Sequence, residues 1–319
     1  MRLLNYTTAG QLARMQNTKY LSSQTLSAFT YRKARSTYTT GIDKSPPITQ
    51  QDSPCESTVA PSESPSLEKH LERSGGLLDT RESVSSLIDS LIGLPVSPPS
   101  IYVDMEGVNL CRFGTLSILQ VHIRPLSQTY LVDITKLGKE AFGIKGSQTT
   151  DTLRSILESK SIPKVFFDVR RDSDALFAHF RIRLQGIHDL QLMELATRNY
   201  RKSRVAGLRQ CIAQDLKLKH HVRTAWEKAK EAGTKLFAPE RGGTYEVFDQ
   251  RPLPGAIRAY CLQDVHYLPR LWDLYTAKRA YKHWKRKVQE ATEARVIESQ
   301  GKDYEPKGKH MMFAPPGWR

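Results

Sequence analysis

Hydrophobic residues recur at helical spacing over residues 84–92, and Gly93 and Pro95 follow where that pattern ends. Asp79 and Glu82 precede the pattern as a predicted capping pair. Residues 42–76, before it, are rich in Pro and Ser and too poor in apolar groups to order. We therefore expect the globular part of the chain to begin with an amphipathic helix.

From residue 100 the pattern changes to short apolar runs separated by Gly and Pro turn signals. It predicts three successive strands, and hence an antiparallel meander, at residues 101–104, 115–123 and 129–134. Helix 151–159, strand 164–167 and helix 175–180 then alternate, which indicates parallel crossovers. The remainder is predicted to be helical, with a loop at 235–254 and a long helix from about 254 to 279. The fold class is thus α/β, a mixed sheet followed by a helical C-terminal half.

The N-terminal 41 residues contain six basic side chains and no Asp or Glu. This composition resembles a mitochondrial transit peptide, although a basic tail without a targeting role has the same composition. The predicted organisation is this basic segment (1–41), a disordered linker (42–76), a globular domain (77–287) and a basic C-terminal extension (288–319).

The chain of 319 residues has no apolar run near the about 18 residues of a membrane span. Its formal net charge is +15, and residues 100–319 carry +14 of it, which indicates a polyanionic partner such as a phosphate backbone. Cys55, Cys111, Cys211 and Cys261 form no C-x-x-C pair, so we expect reduced thiols and an intracellular protein, mitochondrial or else nuclear or cytoplasmic.

Acidic residues follow two of the predicted strands. Asp104 and Glu106 end the first strand two residues apart, so both carboxylates lie on one side of the sheet and could share a divalent cation. Asp168, Asp172 and Asp174 follow a later strand, where sites collect in open α/β sheets. Two surface acids at a strand end, or an Asp that caps a helix, would give the same sequence pattern, and we expect one of these three to be a cap.

A third group of candidate residues lies on the predicted long helix. Tyr260 and Asp264 are four residues apart, so a phenol and a carboxylate point to the same side. A buried Tyr and a paired Asp on a helix are also common without any catalytic role.

Taken in order, these motifs resemble those of the DEDDy 3′-to-5′ exonucleases, the RNase D and Werner-type domains, and most closely their Egalitarian-like branch. The resemblance covers roughly residues 77–287 and implies a ribonuclease H-like, five-stranded mixed sheet flanked by helices. It also implies that Asp104, Glu106, Asp172 and Asp264 hold metal ions while Tyr260 orients the attacking water. Phe167 departs from the family pattern, because many RNase D relatives have His there.

The resemblance implies hydrolysis of single-stranded or frayed RNA or DNA 3′ ends by two Mg²⁺ or Mn²⁺ ions, releasing nucleoside 5′-monophosphates. The alternative is an RNA-binding adaptor that keeps the fold without catalysis. Asp168 and Asp174, which are not among the four ligands that the resemblance implies, remain candidates to support those ligands or to cap a helix.

Two basic stretches could bind the phosphate backbone. Residues 198–235 hold eleven Lys or Arg against three acids. The second, the basic run, has Tyr281 and Trp284 among its cations, which permits base stacking. The basic run consists of Lys278, Arg279, Lys282, Lys285, Arg286 and Lys287. Cations at a helix C-terminus, with aromatic residues packed on the domain, would give the same pattern.

Overall fold

The computed structural model describes residues 76–318. The predicted basic N-terminal segment, and all of the predicted linker except Gly76, lie outside the described residues. No helix among residues 76–318 is both long and apolar enough to cross a membrane.

A six-stranded mixed sheet forms the centre of the fold, with spatial order β1-β4-β3-β2-β5-β6. Its strands are β1 (Leu77–Leu78), β2 (Ile101–Glu106), β3 (Ile118–Ile123), β4 (Gln128–Asp133), β5 (Lys164–Phe166) and β6 (Ile187–Asp189). Strands β2, β3 and β4 are the predicted antiparallel meander. Strand β5 pairs in parallel with β2, and β6 pairs in parallel with β5. The expected five strands become six because β1, too short for a readable alternation, pairs in parallel with β4.

Ten α-helices surround the sheet in the described part of the chain. They are α1 (Arg81–Leu91), α2 (Ile134–Leu137), α3 (Leu153–Glu158), α4 (Arg170–Phe180), α5 (Leu190–Thr197), α6 (Leu208–Asp215), α7 (His220–Phe237), α8 (Gly255–His266), α9 (Leu268–Ala277) and α10 (Arg279–Gln300).

The start of α1 differs in detail from the prediction. Thr80 and Ser83 form the reciprocal capping box, whereas the predicted capping residue Asp79 pairs with Lys136 instead. A hydroxyl at the N-cap reaches the free N–H groups of the first turn as well as a carboxylate does, so the composition alone did not distinguish them.

The predicted single helix over 254–279 is wrong, because three helices occupy this part of the chain and continue to residue 300. Helix α8 ends at His266, and Pro269 lies in the first turn of α9, where its missing N–H costs nothing. Lys278 is extended and starts α10. The predicted domain boundary at 287 therefore falls inside α10, which buries Val288, Thr292 and Val296 beyond it.

The two faces of the sheet have separate cores, as expected from the alternation of side chains along a strand. On one face, Val103 and Met105 of β2 pack with α1 and with Phe142. On the other, Tyr102 packs with Val165 and with helices that include α5 and α9. Asp104 and Glu106 share the face of Tyr102, and α8 covers that face beside them through Ile257, Cys261 and Leu262. This arrangement brings the residues of α8 to the end of β2.

Candidate active site

The end of β2 opens into a cleft of about 580 Å³ that is lined by Asp104 and Glu106. Both carboxyl groups lie on one side of the sheet, as the spacing predicted, and both are partly exposed to the cleft. The segment that follows β2 forms the adjoining wall with Asn109 and Leu110.

Helix α8 places Asp264 next to these two carboxylates. One oxygen from each of Asp104, Glu106 and Asp264 lies within 4.8 Å of the others. Tyr260, one turn earlier on α8, borders the same space as Asp264, as predicted from their spacing. Three of the predicted ligands therefore form one cluster.

Asp172 reaches the cleft from α4, which begins after β5. It is 4% exposed, and its Oδ1 has no hydrogen-bond partner. Its charge acts on the pKa of Glu106, so it lies at the edge of the cluster. A buried carboxylate oxygen without a donor is costly unless something outside the protein binds it.

The turn before α4 is held by residues whose role the sequence did not predict. Asp189, at the end of β6, accepts hydrogen bonds from the backbone N–H groups of Asp168 (3.0 Å) and Val169 (3.4 Å). Arg295 of α10 is 2.6 Å from Asp189 and is 5% exposed. Asp168 has φ +63°, an uncommon conformation for a residue with a side chain, and it redirects the chain from β5 into α4.

None of the three acids after β5 provides the predicted side-chain cap for α4. Asp168 instead pairs with Arg170 at 2.6 Å, and Asp174 pairs with Arg112 at 2.6 Å. Burial opposes ionisation of Asp168, but its hydrogen bond to Arg170 and the charge of Arg295 hold its pKa below the usual range. Asp168 therefore remains a carboxylate that supports the turn.

The pKa values of the four predicted metal ligands are shifted in the opposite direction, upward. Burial, reinforced by the charge of Asp264, raises the pKa of Asp104 to about 8. Burial and the charge of Asp104 raise the pKa of Glu106 and of Asp172 well above their usual values. Burial also raises the pKa of Asp264, with Lys230 opposing it. Such a group of acids needs added positive charge in order to ionise at neutral pH.

Lys230 of α7 is a site residue that sequence reasoning missed. Its Nζ forms an ion pair with Asp264 and lies 3.3 Å from the centre of the Tyr260 ring. It is 7% exposed. Its sequence signal was weak, since it is one of eleven basic residues in the stretch 198–235.

These residues fit a divalent metal. The donors are hard carboxylate oxygens, which Mg²⁺ and Mn²⁺ prefer, and one buried oxygen of Asp172 has no protein partner. A bound cation would also favour the ionised form of acids whose pKa values are raised.

A second cavity, of about 280 Å³, adjoins the other side of the cluster between α6, α7 and α8. Asp104, Glu106 and Phe167 line both cavities. Phe167, which replaces the His of many RNase D relatives, thus lies beside the carboxylates.

The cations around the two cavities include two from the predicted basic stretch 198–235 but none from the basic run. Arg171 and Lys307 line the cleft, and Arg209 and Lys230 line the second cavity. The six residues of the basic run line neither of them. Lys278 is the C-cap of α9, where a cation is favoured. The other five lie in the first turns of α10, so stabilisation by a helix C-terminus does not explain them. Tyr281 is 7% exposed, which leaves little of its ring for the predicted base stacking. Trp284 packs on Trp318 and is half-buried.

Comparison with solved structures supports the ribonuclease H-like fold. RNase D of Trypanosoma brucei in complex with GMP superposes with a TM-score of 0.58 at 21% identity, over 76% of this chain and 68% of that one. The same RNase D in complex with RNA U12 gives a TM-score of 0.58 at 19% identity, over 78% of this chain and 79% of that one.

Curated relatives match part of the chain. The piRNA biogenesis protein EXD1 of Homo sapiens is 30% identical over 173 residues, and that of Mus musculus is 40% identical over 93 residues. These matches cover 52% and 29% of this chain, and 30% and 15% of the relatives, so the chain spans less than a third of their length.

The family model for the 3′-5′ exonuclease domain matches residues 77–277. This range contains the carboxylate cluster, Asp172 and Tyr260. With the sheet order and the acids at the end of β2, it shows that the chain belongs to the 3′-5′ exonuclease family.

Proposed function

We propose that the protein is a metal-dependent 3′-to-5′ exonuclease that shortens single-stranded RNA and releases nucleoside 5′-monophosphates. The main evidence for this proposal is the cluster of Asp104, Glu106 and Asp264, with the unpartnered carboxylate oxygen of Asp172 beside it. Simple surface acids would not be enclosed, mutually close and shifted to high pKa.

Two Mg²⁺ or Mn²⁺ ions would be held by Asp104, Glu106, Asp172 and Asp264. When bound, they supply positive charge at the scissile phosphate and lower the pKa of the attacking water. The four side chains come from β2, α4 and α8, elements fixed by the packing of the sheet, so their positions are set before substrate binds.

Tyr260 orients the attacking water in this proposal. Burial and the charge of Asp264 raise the pKa of its hydroxyl well above the ordinary value. The phenol therefore keeps its proton at neutral pH, and Oη can hold a water by hydrogen bonding but does not act as its base. Gly233 lets α7 pack directly on this ring, which fixes the position of the hydroxyl.

Arg171, Arg209 and Lys307 line the two cavities and would attract the phosphate backbone toward the acidic centre. RNA is proposed over DNA because an RNase D with this fold forms a complex with RNA, and because EXD1 is described as a piRNA biogenesis protein. DNA is the comparison substrate in the test.

The test is the degradation of single-stranded RNA and DNA labelled at either end, with Mg²⁺, Mn²⁺ or EDTA. We expect stepwise shortening from the 3′ end with either metal, none with EDTA, and loss of activity in Asp104→Ala. If wild type binds RNA tightly but shortens neither nucleic acid with either metal, the exonuclease proposal fails and an RNA-binding adaptor explains the fold better.

A further inference from the structure

The residues after α10, which we call the C-terminal segment (301–318), return to the catalytic cleft. Lys307 and Met311 line the cleft together with Asp104, Glu106 and Asp172. The Nζ of Lys307 is 3.4 Å from Oδ1 of Asn109, which lies in the segment after β2. Part of the cleft is therefore built by residues outside the range matched by the family model.

Specific contacts hold this segment in place at its start. Arg112 donates hydrogen bonds to the carbonyl oxygens of Ser299 (2.7 Å), Gly301 (2.8 Å) and Lys302 (3.0 Å). The guanidinium of Arg112 is itself fixed by Asp174 at 2.6 Å.

The middle and end of the segment are also attached. Arg170 donates to the carbonyl oxygen of Met311 at 2.9 Å, beside the turn that presents Asp172. Trp318 is 2% exposed and packs on Trp284. The C-terminal segment is therefore a fixed wall of the cleft.

Beyond the cleft, the segment pairs with the basic loop, which we define as residues 198–206. The N–H of Val205 donates to Met312 at 3.0 Å, and the N–H of Ala314 donates to Ser203 at 3.1 Å. This pairing places Phe313, which is 51% exposed, beside Arg204, with 5.9 Å between the guanidinium carbon and the ring centre.

A surface that leads out of the cleft thus carries Lys307, then Met311, then an exposed aromatic ring next to a guanidinium. Single-stranded nucleic acids are bound by this combination, in which cations follow the phosphates and aromatic rings stack on bases. The basic loop adds Arg201 and Lys202, and no acid lies in it. The C-terminal segment has three lysines against two acids, Asp303 and Glu305, so the surface is basic as a whole. The charge therefore complements a polyanion, and the surface is continuous with the site where its 3′ end would be cut.

We infer that the C-terminal segment and the basic loop form the binding surface for the strand at the cleft, with Lys307 on a phosphate and Phe313 and Arg204 on a nucleotide farther along. The inference rests on the proposed function for the identity of the occupant, single-stranded nucleic acid. It assigns a role to a part of the chain that lies outside the family model.

The experiment measures binding and hydrolysis of a 12-nucleotide strand and of a dinucleotide by the full chain, using both RNA and DNA. Binding is measured by fluorescence anisotropy in EDTA, so that it does not depend on cleavage. The variants are Phe313→Ala and Arg204→Gln, with Phe113→Ala and Lys139→Gln as controls at exposed positions outside the surface. Thermal melting confirms that each variant is folded.

We expect Phe313→Ala and Arg204→Gln each to weaken binding of the 12-nucleotide strand by about 5- to 150-fold, the range for loss of one stacking contact. Hydrolysis of the dinucleotide, which the inference places in the cleft itself, stays within about twofold of wild type. Both controls bind like wild type.

Lys307→Met is expected to weaken binding of the dinucleotide as well, because Lys307 lines the cleft itself. Lys139→Met, at an exposed position outside the surface, is its control.

Unchanged binding of the 12-nucleotide strand in Phe313→Ala and Arg204→Gln overturns the inference even if wild type degrades RNA normally. If wild type binds neither the RNA nor the DNA strand, the inference is also overturned, and the surface would have to bind another kind of partner. Weakened binding in these variants without any hydrolysis by wild type supports the surface and rejects the exonuclease proposal.

Discussion

At the acidic centre, the ionisation of each carboxyl group depends on the side chains that contact it. Asp104 and Glu106 could be predicted from the sequence because a D-x-E at a strand end fixes their side of the sheet. Lys230 could not, because its contact with Asp264 requires α7 to pack on α8, and this packing leaves no periodic signal at position 230. The same limit applies to Arg295, which reaches the turn before α4 from a distant helix.

The raised pKa of Asp104 predicts how metal-free protein responds to pH. Its pKa is about 8 when folded and near 3.8 when unfolded, so the folded state binds more protons between these values. Stability contributed by this group is therefore full below about pH 4 and is lost as pH rises toward 8, by up to about 1.4 kcal/mol per pH unit.

Asp104→Asn removes this contribution. Lys164, His122 and His188 also have shifted pKa values, but they titrate equally in both proteins. The difference between wild type and variant therefore reports Asp104 together with Glu106 and Asp172, whose pKa values the charge of Asp104 raises. Urea unfolding in EDTA from pH 5 to 8 should show wild type losing stability relative to Asp104→Asn as pH rises. A constant difference between them would contradict the assignment.

Replacement of Lys230 tests the charge balance at Asp264. Lys230→Met leaves a buried carboxylate without its partner, so the unfolding free energy in EDTA should fall by about 3 to 5 kcal/mol. Added Mn²⁺ should raise the melting temperature more in this variant than in wild type, because no lysine competes for Asp264. Lys228→Met, on the exposed face of the same helix, should behave like wild type in both measurements. An equal rise of the melting temperature on adding Mn²⁺ in all three proteins would show that Lys230 and the metal do not compete for Asp264.

At the level of elements, the site is an assembly of strand ends and helices from distant parts of the sequence. The meander and the strand-helix alternation could be predicted because each element had its own period. The division of the C-terminal half into α8, α9 and α10 was missed, although Pro269 is a sequence signal for the start of a helix, because the prediction continued one helix through it. The contact of α7 with α8, which fixes Tyr260, leaves no signal in the sequence.

Gly233→Ala tests that contact. A Cβ at residue 233 would lie 2.6 Å from Cβ and 2.8 Å from Cδ2 of Tyr260, so α7 or the tyrosine must shift. The expected cost of overpacking, about 1 to 3 kcal/mol, is partly offset by the about 1 kcal/mol that Ala gains in a helix. We therefore expect modest destabilisation but a fall in kcat of at least about tenfold, measured on single-stranded RNA.

Gly207→Ala is the matched control, since no atom lies within 4 Å of the Cβ it would add. Equal kcat values for the two glycine variants would show that the position of Tyr260 does not matter for activity.

For the whole molecule, the net charge of +15 correctly indicates cations around the cleft, but it did not indicate which ones. Arg171, Arg209 and Lys307 face the cavities, whereas most of the basic run lies at the start of α10, where the helix dipole disfavours cations. An extended polyanion that reaches beyond the cleft would neutralise the cations of the basic run. Their role in nucleic-acid binding stays a prediction.

The combined variant Lys282→Gln, Lys285→Gln and Arg286→Gln tests this role. If three phosphates contact these side chains, the slope of log K against log salt concentration for a long single strand should become shallower by about 2. Lys139→Gln, Lys145→Gln and Lys160→Gln together remove the same charge at exposed sites elsewhere and should leave the slope unchanged. Identical slopes in all three proteins would exclude the run from binding.

Metal-dependent cleavage is tested most directly by single-turnover release of nucleoside 5′-monophosphate from a 3′-labelled single-stranded RNA at saturating Mg²⁺, in wild type and Asp172→Asn. Asp172 is chosen because its buried, unpartnered oxygen has no evident role without a metal. We predict first-order release by wild type and at least about a thousandfold slower release by Asp172→Asn, with RNA binding retained. Equal rates in the two proteins, or no release by wild type, would show that the four carboxylates do not form a catalytic metal site.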